Sequence, residues 1–367
     1  MRVLVAPLEL KGTLTAGEAA EAIAEGLVAA DPGLEVELLP LADGGPGTLE
    51  AIERSRRASL VKTTQVTGAD GSQVAARWLV HGELAIIESA EAVGITRFPG
   101  RAALDYTSRG VGELVAAAIA GGARDIAIGI GGTATVDLGL GCAAALGARC
   151  IGADGHEVVP RPRDFARIHD VVSDAVASHV GRARLSTWCD VQAPLLGQHG
   201  FVYRYGGQKG VGIADMPELE REASRLTRSA AHGVASDGAG GGLAWGLRVL
   251  CGAKPRSGFD AVAETVGLAD ALERCSFVIT AEGRLDAQST QGKGPWALAQ
   301  RARLAGRPVI LMTGSSQLAP DVWRTAFTDV VTVGTREPEN KGDAYRQLVT
   351  TARAYSLHGP LLARPSS

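Results

Sequence analysis

Aromatic residues make up only 4% of this 367-residue chain, so its interior must be built from the Ala, Val, Leu and Gly that dominate it. Cores of that kind suit parallel α/β sheets, whose central strands are apolar on both faces. Cysteine is thin as well: Cys142, Cys150, Cys189, Cys251 and Cys275 are odd in number, and none is spaced as C-x-x-C. That pattern indicates neither a disulfide framework nor a zinc site. Charge of one sign is nowhere concentrated and the formal net charge is −3, so nucleic acid is not an expected partner. No apolar run approaches the roughly 18 residues of a membrane span, and no charged-then-apolar leader precedes Val3-Leu4-Val5-Ala6. The seven histidines show no metal spacing, and the lack of a Gly-x-Ser-x-Gly elbow argues against a Ser-His-Asp hydrolase. The expectation is a soluble, cytoplasmic protein, a monomer or homodimer, with no membrane partner.

What is present fills more than one core. A chain of 367 residues with 46% hydrophobic content exceeds the usual size of a single domain. Its 48 glycines fall at the ends of apolar runs and form no low-complexity tract. Arg2 to Ala6 reads as a buried strand. Thr15-Ala-Gly-Glu18 is a capping box, after which Ala19, Ile23 and Leu27 recur at helical spacing until Asp31-Pro32-Gly33 stops the helix. Glu35 to Leu39 reads as the next strand. Strand, helix, strand in so short a span is a βαβ unit with a parallel sheet.

The C-terminal third repeats this rhythm, with strands at Ser276 to Ala281, Pro308 to Thr313 and Asp329 to Val333, and a helix from Lys293 to Ala305. Between the ends, strand-like runs at Gln73 to Val80, Leu84 to Glu88 and Arg184 to Trp188 accompany a helix from Val111 to Ala120. The chain therefore reads as a discontinuous α/β domain, residues 1–60 plus 265–367, with a second α/β domain inserted at 61–264. Ligands of open α/β sheets bind beyond the carboxyl ends of the strands. Asp43, Gly131, Asp190 and Glu282 fall there, and a two-domain cleft would bring them together.

The most informative stretch is Ile126-Ala-Ile-Gly-Ile-Gly131-Gly132-Thr133-Ala134-Thr135-Val136-Asp137. An apolar run ends in glycines and hydroxyls, ahead of an Ala-rich helical segment from Ala143 to Ala148. Backbone N–H groups at such a junction, with the helix dipole behind them, suit a phosphate. The plainer reading is a tight turn that needs positive φ. Asp43-Gly44-Gly45-Pro46-Gly47-Thr48, Gln208-Lys209-Gly210, Asp237 to Gly242 and Glu282-Gly283-Arg284-Leu285-Asp286 repeat the same chemistry. Together they suggest one polyanion-handling cleft.

These motifs, in this order and over nearly the whole length, resemble the type-1 glycerate kinase family. The resemblance is carried by Ala6-Pro7 with Lys11-Gly12, Ala42-Asp43-Gly44-Gly45 with Gly47-Thr48, Gly112-Glu113-Leu114, and Ile130-Gly131-Gly132 with Ala134-Thr135 and Asp137. It continues in Cys189-Asp190-Val191 with Pro194-Leu195, Gln208-Lys209-Gly210, and Glu282-Gly283-Arg284 with Asp286 and Gln288. It implies a flavodoxin-like parallel-sheet domain with an inserted second α/β domain, and a kinase using ATP and Mg²⁺ to phosphorylate D-glycerate or a related hydroxy acid. Departures from the family pattern fall at Leu8-Glu9-Leu10, Pro46, Val136 with Leu138, and Gln192-Ala193. Carboxylates and asparagines of the family are replaced there, which suggests retained phosphoryl-transfer machinery and a changed acceptor pocket.

Phosphoryl transfer is catalysed mostly by positioning and by neutralising oxyanion charge. Asp43, Glu282 and Asp286 are the candidate Mg²⁺ carboxylates, although Asp43 can equally bond its own turn and Asp286 can cap a helix. Lys11 and Lys209 are the candidate cations, in loops where a lone Lys is otherwise a solvated charge. Asp190 is the candidate proton acceptor or hydroxyl orienter, with turn capping as its plain alternative. Gly44, Gly45, Gly131, Gly132, Thr133, Gln208, Gly210 and Gly283 are assigned to the nucleotide, and Arg284 to a neighbouring carboxylate. Two alternatives stay open: a kinase of a larger polyol or cyclitol, such as a cyclitol phosphate, and a non-catalytic metabolite sensor.

Overall fold

A computed structural model describes residues 1–10, 12–55, 59–228, 233–292 and 294–358. Lys11 and Lys293 lie outside the described residues. The chain divides into two compact units: Met1–Asp43, Glu50–Arg57 and Phe259–Ser367 form one, Gly44–Leu49 and Ala58–Gly258 the other.

In the first unit, strands β1 (Arg2–Val5) and β2 (Glu35–Leu38) pair in parallel, and Val3, Leu4 and Val5 are fully buried. The other strands of this sheet are β11 (Phe277–Leu285), β12 (Val309–Ser316) and β13 (Asp329–Thr332). The order is β13-β12-β11-β1-β2, parallel throughout. Counted along this unit alone, that is 2-1-3-4-5 read from the other edge, the flavodoxin-like arrangement, with its switch point between β1 and β11. The edge strand β2 carries the partly exposed Glu35 and Glu37, as an edge facing water should.

The helix Ala16–Ala30 starts where its sequence says it does. Glu18 N–H donates to Thr15 Oγ1 at 3.3 Å, and Thr15 N–H donates to Glu18 Oε2 at 3.0 Å. Its face of Ala19, Ala22, Ile23 and Leu27 is fully buried in the core of this unit with Ile279, Ile310 and Leu348. Gly26 lets it approach the helix Lys341–His358: a Cβ there would meet the Val349 carbonyl and would lie 2.8 Å from Ala352 Cβ.

The second unit contains β3 (Leu60–Thr67), β4 (Gln73–His81), β5 (Leu84–Glu88), β6 (Asp125–Gly129), β9 (Arg184–Trp188) and β10 (Lys254–Arg256). Their order is β10-β9-β6-β5-β4-β3; β10, β9, β6 and β5 run parallel, while β4 and β3 are antiparallel. A separate antiparallel pair joins β7 (Arg149–Gly152) to β8 (Ile168–Val172). Trp188, Trp245, Phe165 and Phe201 are all fully buried, so the few rings are spent on the interior.

Three expectations need correcting. β11 does not stop at Ala281. Partners Arg284↔Ser315 and Leu285↔Ser316 on β12 carry it to Leu285, so Glu282 and Gly283 lie inside the strand and not beyond it. Lys209 and Gln208 belong to the helix Phe201–Lys209, not a loop; Gly210 is its C-cap, left-handed at φ 94°, a standard place for glycine. The Ala-rich helix is Leu140–Ala145, several residues removed from Gly132.

Replacing Gly26 by Ala would gain about 1 kcal/mol of helix propensity, but the new methyl would press on backbone that cannot swing aside. Overpacking costs about 1–3 kcal/mol, so Gly26→Ala should lower the urea midpoint of unfolding, the reverse of the propensity expectation. An unchanged or raised midpoint would show that the two helices separate freely.

Candidate functional site

The sequence-predicted residues form two groups, one in each unit. In the second unit, parallel strands β5, β6 and β9 end at Glu88, Gly129 and Trp188, followed by Gly131-Gly132-Thr133 and by Asp190. The segment Gly44–Leu49 lies on these ends. Gly44 has φ 87°, and a Cβ on it would collide with the Trp188 carbonyl. A Cβ on Gly129 would sit 2.5 Å from the Gly44 oxygen, one on Gly131 2.7 Å from Gly45 Cα, and one on Gly132 2.5 Å from Pro46 Cγ. These glycines are therefore required by chain against chain. Thr48 Oγ1 closes the turn by donating to the Gly45 carbonyl at 2.7 Å.

The field at this turn does not come from the helix Leu140–Ala145. Asp137, fully buried, stands at that helix start and accepts from Gly139 N–H and Gly141 N–H, each at 3.2 Å, and from Ser108 N–H and Oγ–H at 2.7 and 2.8 Å. Burial raises its carboxyl above the usual value, and these donors oppose the rise. Positive charge comes instead from Lys209, which is 5% exposed. Its Nζ donates to Thr133 Oγ1 at 3.1 Å and to the Thr135 carbonyl at 2.9 Å. Burial pulls the ammonium down to about 7, with the Asp137 charge holding it up. Thr133 is thus the partner of this cation, and Gln208 on the same helix is exposed.

Asp190 is half-buried and its Oδ1 accepts from the Gly258 N–H at 3.0 Å. That bond holds the start of the helix Gly258–Val266 and not the turn that follows Asp190, and the residue lies after the end of a parallel strand. Of the substituted positions, Val136 and Ala193 are fully buried in the interior, so their side chains do not face an open pocket. Pro46 packs over Gly132.

Glu88 was missed in the sequence, where it reads only as the end of an apolar run. It is 7% exposed, and its Oε2 accepts from Leu49 N–H at 3.2 Å. Burial pushes the carboxyl up to about 7; Glu91 adds to the rise, while the amides of Leu49 and Gly47 and the Arg77 charge oppose it. The available signal was a carboxylate closing a strand that is apolar on both faces, a place where charge is costly.

In the first unit, Asp43, Glu282, Gly283 and Asp286 line one cavity of about 920 Å³ at the carboxyl ends of the sheet, with Leu8 and Arg284. Both Glu282 oxygens accept from Ser289 Oγ, at 3.2 and 3.1 Å, and Asp286 Oδ1 accepts from Gln288 N–H at 2.8 Å. Arg284 is exposed at the cavity wall. Nothing lies within 4 Å of a Cβ built on Gly283, so the protein itself does not demand glycine there. Among the described residues no three His, Cys, Asp or Glu side chains are gathered as a metal site. Mg²⁺ asks for less, commonly one or two carboxylates plus water, and the carboxylates of this wall fit that requirement. No helix among the described residues is long and apolar enough to cross a membrane.

Comparison with known proteins agrees along the whole chain. A sequence model described as the glycerate kinase family matches residues 3–354. Glycerate 2-kinase of Escherichia coli strain K12 is 34% identical over 96% of both chains. Glycerate kinase of Bacillus subtilis strain 168 is 35% identical over 86% of this chain and 85% of its own. A crystal structure of a provisionally assigned glycerate kinase 2 from Salmonella typhimurium LT2 superposes with a TM-score of 0.81 at 32% identity, covering 97% of each chain.

Glu88 gives the second unit a pH signature. Its folded value near 7 exceeds the ordinary 4.5, so the unfolded chain loses this proton first as pH rises. Stability should fall between pH 4.5 and 7 by about 2–3 kcal/mol from this group. Denaturant titrations across that range should show the fall in the wild type and a flatter profile in Glu88→Gln. Parallel profiles would mean that Glu88 titrates normally.

Proposed function

Since the chain belongs to the glycerate kinase family, we propose that it is an ATP-dependent kinase that transfers the γ-phosphoryl group to a hydroxyl of D-glycerate. The observation that carries this reading is Lys209: a buried ammonium held by Thr133 Oγ1 and the Thr135 carbonyl, next to the glycine turn after β6. A structural lysine rarely accepts such desolvation. A cation set among fixed partners suits oxyanion charge that grows in a loose transition state.

The remaining roles follow from chemistry. Asp190, whose Oδ1 accepts from the Gly258 N–H, follows the carboxyl end of the parallel strand β9, a place suited to orienting the acceptor hydroxyl and taking its proton. Glu282 and Asp286, with Asp43, would hold Mg²⁺, which supplies charge neutralisation to the phosphate oxygens when bound. Lys209 sits close to its own midpoint near neutral pH, so an anion settling beside it draws a proton onto the amine. Gly44 and Gly45 shape the turn beneath Pro46, and Glu88 fixes that turn through Leu49.

Purified protein should release ADP from ATP in the presence of D-glycerate. Lys209→Met should reduce kcat by about 10²–10³-fold, the scale of a lost electrostatic donor, with glycerate KM little changed. A loss confined to KM would instead make Lys209 a substrate anchor. Asp190→Asn keeps an oxygen for Gly258 and should leave the melting temperature nearly intact while lowering kcat about 10²-fold. Wild-type turnover in that variant would remove Asp190 from the chemistry.

A further inference from the structure

One glycine motif of the sequence has no part in the site described above: Asp237-Gly-Ala-Gly-Gly-Gly242. Burial and bonding leave it unfit to cradle an anion. Gly238, Ala239, Gly241 and Gly242 are buried, and the N–H groups of Gly238, Ala239 and Gly242 donate to the carbonyls of Ala193, Ser236 and Gly238. Gly240, Gly241 and Gly242 take φ of 66°, 74° and 85°, values that other side chains rarely adopt. The loop thereby turns back on itself and enters the helix Leu243–Cys251.

That turn brings the loop against the segments beyond two strand ends. After β6, a Cβ on Gly240 would lie 2.9 Å from Ile130 Cγ2. One on Gly241 would collide with the Thr135 carbonyl, the same oxygen that accepts from Lys209 Nζ. The Gly241 carbonyl in turn accepts from Leu138 N–H at 3.2 Å. After β9, Gly238 N–H donates to the Ala193 carbonyl at 2.9 Å, and a Cβ on Gly238 would collide with the Pro194 carbonyl. Ala193 and Pro194 belong to the segment that follows Asp190. The loop therefore touches the support of the cation and the support of the carboxylate.

An ion pair holds this loop shut. Asp237, at its start, accepts from Arg248 on the helix that follows, Nε to Oδ1 at 2.8 Å and Nη2 to Oδ2 at 2.7 Å. The Asp237 side chain is 3% exposed and that of Arg248 18%. A two-pronged bond between planar groups fixes angle as well as distance, which a loop rich in glycine otherwise lacks.

We propose that Asp237 and Arg248 are positioning residues: their pairing clamps the glycine loop so that Lys209, through the Thr135 carbonyl, and Asp190, through the segment after it, stay aligned with each other. The proposal rests on the kinase reading for the roles of Lys209 and Asp190.

Asp237→Ala would strand the guanidinium and test folding more than function. Asp237→Asn keeps the shape and one acceptor, and Arg248→Lys keeps the charge without the fork. Each should lower kcat for glycerate-dependent ADP release at least about tenfold, with KM for ATP and glycerate held within about twofold. Added to Lys209→Met or to Asp190→Asn, Asp237→Asn should cost less than about threefold further, because alignment ceases to matter once one aligned group is gone. The same tenfold loss in every background, or wild-type kcat beside a lowered urea midpoint, makes the pair merely structural and overturns the proposal. Hydrogen exchange reads the clamp without activity. Asp237→Asn should speed exchange of the Leu138 and Gly238 amides at least about tenfold and leave Val66, in the β3–β4 ladder, unchanged. Unchanged protection at Leu138 and Gly238 also overturns it. The two readings fail separately. Fast exchange in the variant, with no ADP from any hydroxy acid in the wild type, leaves the clamp standing and fells the kinase reading. Glycerate-dependent ADP release in the wild type, with normal exchange and kcat in the variant, does the reverse.

Discussion

The second unit depends on a contact made without side chains. Gly44 and Gly45 lie on Gly129, Gly131 and the carbonyl of Trp188 at distances no Cβ tolerates. The turn stays there because Thr48 closes it onto Gly45, and because the Glu88 carboxylate holds the amide of Leu49. Pro46 then covers Gly132, which takes φ 62°. Each feature presupposes the others. A larger residue at any of these glycines would lift the segment, and with it the surface on which Thr133 and Lys209 are arranged.

Electrostatics compounds this constraint. Glu88 and Lys209 are both buried, and burial brings each to about 7 from opposite sides. Neither gains the bidentate partner that usually justifies an internal charge. Asp137 takes the other course and collects backbone and hydroxyl donors around its carboxylate. Carboxylate and ammonium therefore divide the labour: one is held by several donors of the protein and sets the frame, while the amine remains responsive to an incoming anion.

Local signals were the legible part of the sequence. The Thr15–Glu18 box, the apolar strand cores and the two-ended construction of the first sheet could be read directly, since each depends on neighbours a few residues apart or on a repeating pattern. Strand length was not legible, because Glu282 and Gly283 stay in β11 only through pairing with distant β12. The packing roles of the glycines were hidden for the same reason. Gly210 is a helix terminus, and Gly131 and Gly132 yield to Gly45 and Pro46, whereas the sequence shows only that glycine is present. Val136 and Ala193 looked like altered pocket residues, and only tertiary burial reveals them as core.

The first sheet places β1 beside β11, with Val3 opposite Phe277, so this pairing joins strands from either side of the segment that builds the second unit. During synthesis that pairing must wait until β11 has emerged, by which point every strand of the six-stranded sheet is already available. Loop-closure entropy penalises the long-range step, though only slowly with length, by about 0.6 kcal/mol per doubling. A prior-folded insert shortens the effective loop and lowers that cost further. Topology thereby favours one order of assembly: the insert first and the β1–β11 pairing last, with β1 held by β2 on one side and open on the other in the interval.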